Sequence, residues 1–327
     1  MRRLIVRLLS TIVTLIAISV VAFVVIQLPP GDYATTYMAK LEALGERLDA
    51  QSVEHIRNSY GLDKPMVTRY FLWIWRFAQG DWGYSFQTSQ PVKEMIVERI
   101  PLTISIELLT LLFVWIISIP VAVYSSIRQY SVGDYVCTVL GFLGIATPNF
   151  VLAVVIMWLA FLLFGTTVSG INSPEFVSAP WSFAKMIDSA QHLWVILVVN
   201  GTAAMAGQIR ILRASLLDEL NQPYVTTARA MGMSEGRLLI KYPLRVALNP
   251  MISHIGLLLP QLISASTITA IVLSVPTVAP MLYEALLVQD IYLAGGIIML
   301  LSVLAMVGTI VSDVLLYVVD PRVRYSA

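Results

Sequence analysis

"YVTTARAMGMSEGRLLIKYPLRVALNP", Tyr224 to Pro250, is the polar island of this chain. Arg229, Arg237, Lys241 and Arg245 crowd into it, and Gly232 and Pro243 punctuate it. Pro223 suits the first turn of a helix and Gly232 a left-handed C-terminal cap. The spacing predicts a helix of about two turns with Tyr224, Ala228 and Met231 on one face, kept thin by Thr227, Ala228 and Ala230. Ser234 can cap a second helix starting at Glu235, which Pro243, lacking a backbone donor, must bend or end. The product is a helix, glycine, helix knuckle, a shape suited to insertion into a cleft.

Outside this island the chain is oily. Of 327 residues 57% are hydrophobic and 13% charged, where a soluble domain carries about 25% charged residues; the mean hydropathy is +0.79. The chain therefore reads as an all-α integral membrane protein. A net charge of +1 gives no field for nucleic acid, and the single cysteine, Cys137, excludes an intrachain disulfide, a CxxC redox pair and a thiolate zinc site. Uncharged runs cover residues 8–31, 108–127, 135–174, 189–209, 246–283 and 291–312, each long enough for the ~20 residues a spanning helix needs. The two longest each hold one helix and an irregular end: "ATPN" (Ala146 to Asn149) interrupts one, and Pro276 and Pro280 interrupt the other. Pro148 should bend the third span and free a backbone carbonyl for gating.

Six transmembrane helices follow, the first within residues 1–28 and the others at about 103–124, 136–164, 190–212, 251–274 and 293–318. Arg2, Arg3 and Arg7 precede the first, whose apolar core is too long for a signal peptide and lacks an A-x-A site, so it reads as a permanent anchor. Arg128, the basic residues from Arg210 to Arg245, and Arg322 with Arg324 place both termini in the cytoplasm. Residues 29–101 then form an extracytoplasmic loop with helical patterning and clustered Trp73, Trp75 and Trp82, either an interfacial cap or a docking surface for a soluble partner. The membrane core would be residues 102–327, with the polar loop at 214–250.

No G-x-x-x-x-G-K-[ST] loop occurs, so the chain carries no usual ATP-hydrolysing site. His55, His192 and His254 are scattered without ligand spacing, which leaves no metal site. Glu107, Asn200, Gln208, Gln261 and Ser264 lie within spans, and Pro148 and Asn149 at the break in the third. Such groups either bond to neighbouring helices or line a hydrated pathway. An ion-gradient-driven transporter or channel would use Glu107 and Asp313; a receptor or scaffold would not need the knuckle.

"TTARAMG" followed by nine residues and "YPLR" resembles the EAA loop of ABC importer permeases. Thr226, Thr227 and Ala228 fall on its lead positions, Gly232 on its glycine, Tyr242 and Leu244 on its apolar pair, and Arg245 stands where a proline is usual. These departures resemble the dipeptide, oligopeptide and nickel subgroup, as do "LPPGD", "YGLDKP", "GDWGYSF", "PVKEMIVERIPLT", "TPNF" and "DPRVRY" in that order along nearly the whole chain. The resemblance implies an ABC type I importer permease fold in a bacterial or archaeal cell membrane, the inner membrane if Gram-negative. It implies a coupling loop contacting an ATPase through Tyr224, Thr226, Thr227, Ala228, Arg229, Met231, Gly232, Ser234 and Glu235. Implied partners are a second homologous permease, two ATPase subunits holding the ATP and Mg, an extracytoplasmic solute-binding protein and membrane lipid. The implied substrate is a di- or oligopeptide. The tail "LSVPTVAP" lacks the subgroup's glutamate and glycines and resembles a branch importing oligosaccharides or glycosides; nickel is a weaker alternative.

Overall fold

The computed structural model describes residues 2–31, 33–43, 54, 57–58, 61–255 and 266–319. Their regular structure is helical: α1 (Arg2–Gln27), α2 (Tyr33–Ala43), α3 (Met66–Ala78), α4 (Val92–Ile127), α5 (Val132–Ala146), α6 (Asn149–Phe164), α7 (Phe183–Leu220), α8 (Pro223–Ala230), α9 (Glu235–Lys241), α10 (Pro243–Ala247), α11 (Asn249–Ser253), α12 (Val278–Leu287) and α13 (Ile291–Val319). Residues 266–272 are also helical.

Among the described residues α4, α7 and α13 are long and apolar enough to cross a membrane, and α5 with α6 makes a fourth candidate. Part of the expected fifth span, residues 256–265 with Gln261 and Ser264, lies outside the described residues, as do His55, Arg322 and Arg324. The third span differs from the single helix expected over 136–164: α5 and α6 meet at 103°. Thr147 leaves the helical region at φ −88°, ψ 120° and Pro148 follows at φ −60°, ψ 134°, because a proline ring crowds the preceding residue out of the α conformation. The fourth span is longer than the expected 190–212. Ser182 Oγ caps its start by accepting the Lys185 N–H, and it continues to Leu220.

The chain divides into two compact units, Met1–Thr103 with Pro276–Met306, and Ile104–Val275 with Val307–Ala327. In the first, Gly295 and Gly296 of α13 let other helices approach closely. A Cβ at Gly295 would lie 2.6 Å from the Trp73 ring, and one at Gly296 3.2 Å from Val92 and 3.3 Å from Ile96. Phe23 stacks on Trp73 at 5.7 Å and Phe77 on Trp82 at 5.1 Å. Trp75, grouped with these in the sequence, faces outward at 66% exposure. Fully buried Asp290 fastens the unit: Oδ1 accepts the Leu293 N–H at 3.1 Å, capping α13, while Oδ2 accepts Ser85 Oγ–H at 2.6 Å and Phe86 N–H at 2.7 Å.

In the second unit α7 is the central post. Gly201 meets Phe113 and Val114 of α4, where a Cβ would lie 3.1 to 3.3 Å from their side chains, and Ser118 Oγ donates to Met205 O at 3.3 Å. Gly144 of α5 meets Thr202, where a Cβ would lie 2.8 Å from the methyl. Small residues allow this approach where no water is present to drive association. One ion pair locks the three helices at their common end. Arg213 donates Nε–H to Asp134 Oδ1 at 3.1 Å and Nη2–H to Oδ2 at 2.7 Å. Ser125 Oγ also donates to Oδ1, and the Tyr130 N–H to Oδ2 at 2.9 Å.

The Arg213 side chain is 26% exposed, so removing either member of this partly buried pair leaves a charge that water reaches in part, at a cost of about 1–3 kcal/mol. Asp134→Ala and Arg213→Ala should each lower the thermal unfolding midpoint of the detergent-purified protein, and the double variant should be less damaged than the two losses added. Burial pushes the Asp290 carboxyl above its ordinary value, and the bonds from Ser85, Leu293 and Phe86 limit the rise. The folded form thus keeps this proton longer than the unfolded chain. Its contribution to stability is full below about pH 3.9 and is lost as pH rises through the raised value. Asp290→Asn should flatten the fall in unfolding midpoint across that window.

Candidate functional site: the helical knuckle and the buried polar side chains

The polar island folds as two short helices around a glycine. Pro223 opens α8, where its missing N–H is no loss. Gly232, at φ +80°, closes it in a Schellman arrangement: its N–H donates to Arg229 O at 3.0 Å and the Met233 N–H to Ala228 O at 3.3 Å. Met233 then packs beside Ala228, the hydrophobic contact that accompanies this cap. Ser234 stands at the N-cap of α9 without a side-chain cap bond. Pro243 opens α10 after the backbone turns at Tyr242, φ −119°, ψ −81°.

Val225 and Leu238, both fully buried, form the centre of a small core with Ala228, Tyr224, Met233 and Tyr242 around them. Burying two such side chains contributes about 1.5–3 kcal/mol each, enough to hold α8 against α9. Tyr224 Oη donates to Glu219 Oε2 at the end of α7. Arg229 donates to both oxygens of Glu235 across the glycine, with Nη2 at 3.1 Å from Oε2, and holds that carboxyl below its usual value. Below the knuckle, α10 and α11 rest on α7, where Ala247 and Met251 meet Leu212 and Leu216 in one buried cluster.

The face expected to carry Tyr224, Ala228 and Met231 is split. Ala228 is buried and Tyr224 half-buried, whereas Met231 is 82% exposed at the tip. The Met231 N–H still donates to Thr227 O at 3.0 Å, so the side chain keeps the face that periodicity assigns but lies beyond the core shared by α8 and α9. The outward surface is made by Thr226, Thr227, Arg229, Ala230, Met231, Gly232, Ser234 and Glu235. A Cβ at Gly232 would meet nothing within 4 Å, so the glycine is required by its positive φ and not by crowding within this chain.

Of the polar residues within spans, the structure brings Glu107 onto Ser266. Glu107 of α4 is 2% exposed; Oε1 accepts Ser266 Oγ–H at 3.2 Å, and Oε2 is buried with no hydrogen-bond partner among the described residues. Asn200 and Gln208 are buried two turns apart on α7. Both side-chain polar atoms of Asn200 and Oε1 of Gln208 lack partners among the described residues. Pro148 and Asn149 sit at the α5–α6 elbow, and the contacts described do not join them to the other candidates. Asp134 and Asp290 escaped the sequence reading. The available signal was a carboxylate directly flanking an uncharged run.

Residues 116–325 match the family described as binding-protein-dependent transport system inner membrane component, and residues 1–107 match the N-terminal region described for such membrane components. The chain belongs to this family. It is similar to the oligopeptide transport system permease protein AppB of Bacillus subtilis, 32% identical over 320 residues and 98% of each chain. It is also similar to the dipeptide transport system permease protein DppB of Escherichia coli, 29% identical over 336 residues, again 98% of each chain. A structure of the methionine ABC transporter MetNI in inward-facing conformations shares the fold at TM-score 0.53 and 16% identity, covering 71% of this chain and 100% of that one. As a family member this chain is a multi-pass membrane permease subunit.

Leu238→Ala should remove about 2–5 kcal/mol from the knuckle core. The measurable consequence is faster amide hydrogen exchange across residues 223–241, with α4 and α7 unchanged. Gly232→Ala should cost about 1–2 kcal/mol through its positive φ alone.

Proposed function

We propose that this chain is the permease subunit of an ATP-driven importer of di- and oligopeptides, forming half of the translocation pathway. The observation that carries the reading is the match to oligopeptide and dipeptide permeases along 98% of the chain. The exposed, glycine-closed knuckle on the end of α7 supports it. The core at residues 102–327 crosses the membrane with five of six helices, both termini cytoplasmic, in the ABC type I arrangement. Residues 29–101 form an extracytoplasmic cap.

A second homologous permease completes the pathway, an extracytoplasmic binding protein delivers peptide, and two separate ATPase subunits hold ATP and Mg. Thr226, Thr227, Arg229, Met231, Gly232 and Ser234 face the ATPase; Tyr224, Ala228 and Glu235 hold that face in shape. Closure of the ATPases on ATP displaces the knuckle, and because α10 and α11 rest on α7, the displacement passes to the spanning helices. Glu107, Asn200 and Gln208 retain buried polar atoms without partners among the described residues, and leaving such atoms unpaired in a low-dielectric interior is costly. Water or solute in a transport pathway supplies those partners, with Pro148, Asn149, Gln261 and Ser264 contributing to its walls and bend.

Purification of the complex through this subunit, with mass spectrometry of the co-purifying chains and bound solute, tests the assignment. The expected result is a second permease, two ATPases and peptide. Recovery of an oligosaccharide would move the substrate to the glycoside alternative, and ion conduction by this subunit alone in liposomes would overturn the mechanism. Gly232→Leu should reduce peptide-stimulated ATP hydrolysis and uptake by at least about tenfold while Gly232→Ala retains most of both. The smaller change carries the same backbone strain without the added bulk.

A further inference from the structure

Between α5 and α7 lies a groove of about 110 Å³ lined by Cys137, Gly141, Phe142, Ile145, Ala206 and Ile209, with Arg210 and Arg213 at one end. Its walls are mostly apolar, with Ser125 and Thr138 the hydroxyls among them, and Phe142 in the lining is 61% exposed. The two arginines differ. Arg213 is engaged twice over by Asp134, whereas exposed Arg210 has no hydrogen bond or ion pair among the described residues. A guanidinium at the end of a spanning helix, beside an apolar groove on the same helix pair, is complementary to a molecule with an anionic head and a hydrocarbon tail.

We propose that this groove is a binding site for an anionic phospholipid, with the phosphate on Arg210 and a section of acyl chain along Gly141, Phe142, Ile145 and Ile209. Given the orientation proposed above, the lipid comes from the cytoplasmic leaflet. The Asp134–Arg213 pair forms the wall beside the headgroup, and because its charges are mutually satisfied it neither repels nor competes for the phosphate. The lipid therefore spans α5 and α7, the two helices already joined by that pair.

Cys137 lines the groove and is the only cysteine in the chain, so a bimane attached there reports on what occupies it. The complex, with the cysteines of its other subunits replaced and Cys137 labelled, is reconstituted in phosphatidylcholine and titrated with brominated phosphatidylglycerol or brominated phosphatidylcholine, whose bromines quench the label on contact. Half-maximal quenching should occur at a mole fraction about fivefold lower for the anionic lipid, the preference expected of one arginine near the surface. Arg210→Gln should abolish the difference while leaving quenching by phosphatidylcholine unchanged. Equal quenching by the two lipids before mutation, or a preference that survives Arg210→Gln, would overturn the site. Absence of quenching by either lipid would also overturn it, since a protein helix would then cover the groove. Should the variant fail to assemble, the comparison of lipids on the unmutated complex still decides.

Discussion

In a bilayer, a polar group that loses its partner cannot turn to water, and the second unit is organised by that constraint. Its clearest expression is the Asp134–Arg213 pair, where one carboxylate takes two guanidinium bonds, a serine hydroxyl and a backbone N–H. With both charges satisfied, α4, α5 and α7 meet with little freedom to slide. Gly144 and Gly201 then set how closely the helices lie, since each stands where a Cβ would crowd a neighbour. Asp290 plays a corresponding part in the first unit, where it joins a loop to the start of α13 through three donors.

The knuckle obeys a different economy. It is polar on its outer side and is held by local contacts: a glycine cap, a core centred on Val225 and Leu238, and an ion pair that bridges the glycine. Its shape depends little on distant packing. Such a part keeps its surface as a body, and α10 and α11 join it to α7 through one buried cluster. The split between a buried Ala228 and an exposed Met231 shows which side is committed to the chain's own core and which faces outward.

Elements governed by local chemistry were legible in the sequence. Pro223, Gly232 and Pro243 specify their turns through backbone sterics alone, and the knuckle's limits could be written down from them. The α5–α6 elbow was visible at Pro148, but its 103° angle was not, because the angle depends on what each half packs against. Periodicity put Met231 on the face of Tyr224 and Ala228 but carries no measure of burial, which depends on where α9 packs. Asp134 and Arg213 lie 79 residues apart, and charges read one at a time for orientation carry no hint that they meet. The same holds for Glu107 and Ser266, 159 residues apart, and for the role of Asp290.

The length of α7 has a mechanical consequence. At 38 residues and ~1.5 Å each, it is about 57 Å long, nearly twice the ~30 Å hydrocarbon layer. Near its start Asp188 accepts Ser173 Oγ–H at 2.5 Å and Asn172 Nδ2–H at 3.1 Å, fixing the loop before it; near its end Leu216 carries α10 and α11. A rod of that length reaches past the hydrocarbon, so one unbroken helix joins the loop held by Asp188 to the short helices packed at Leu216.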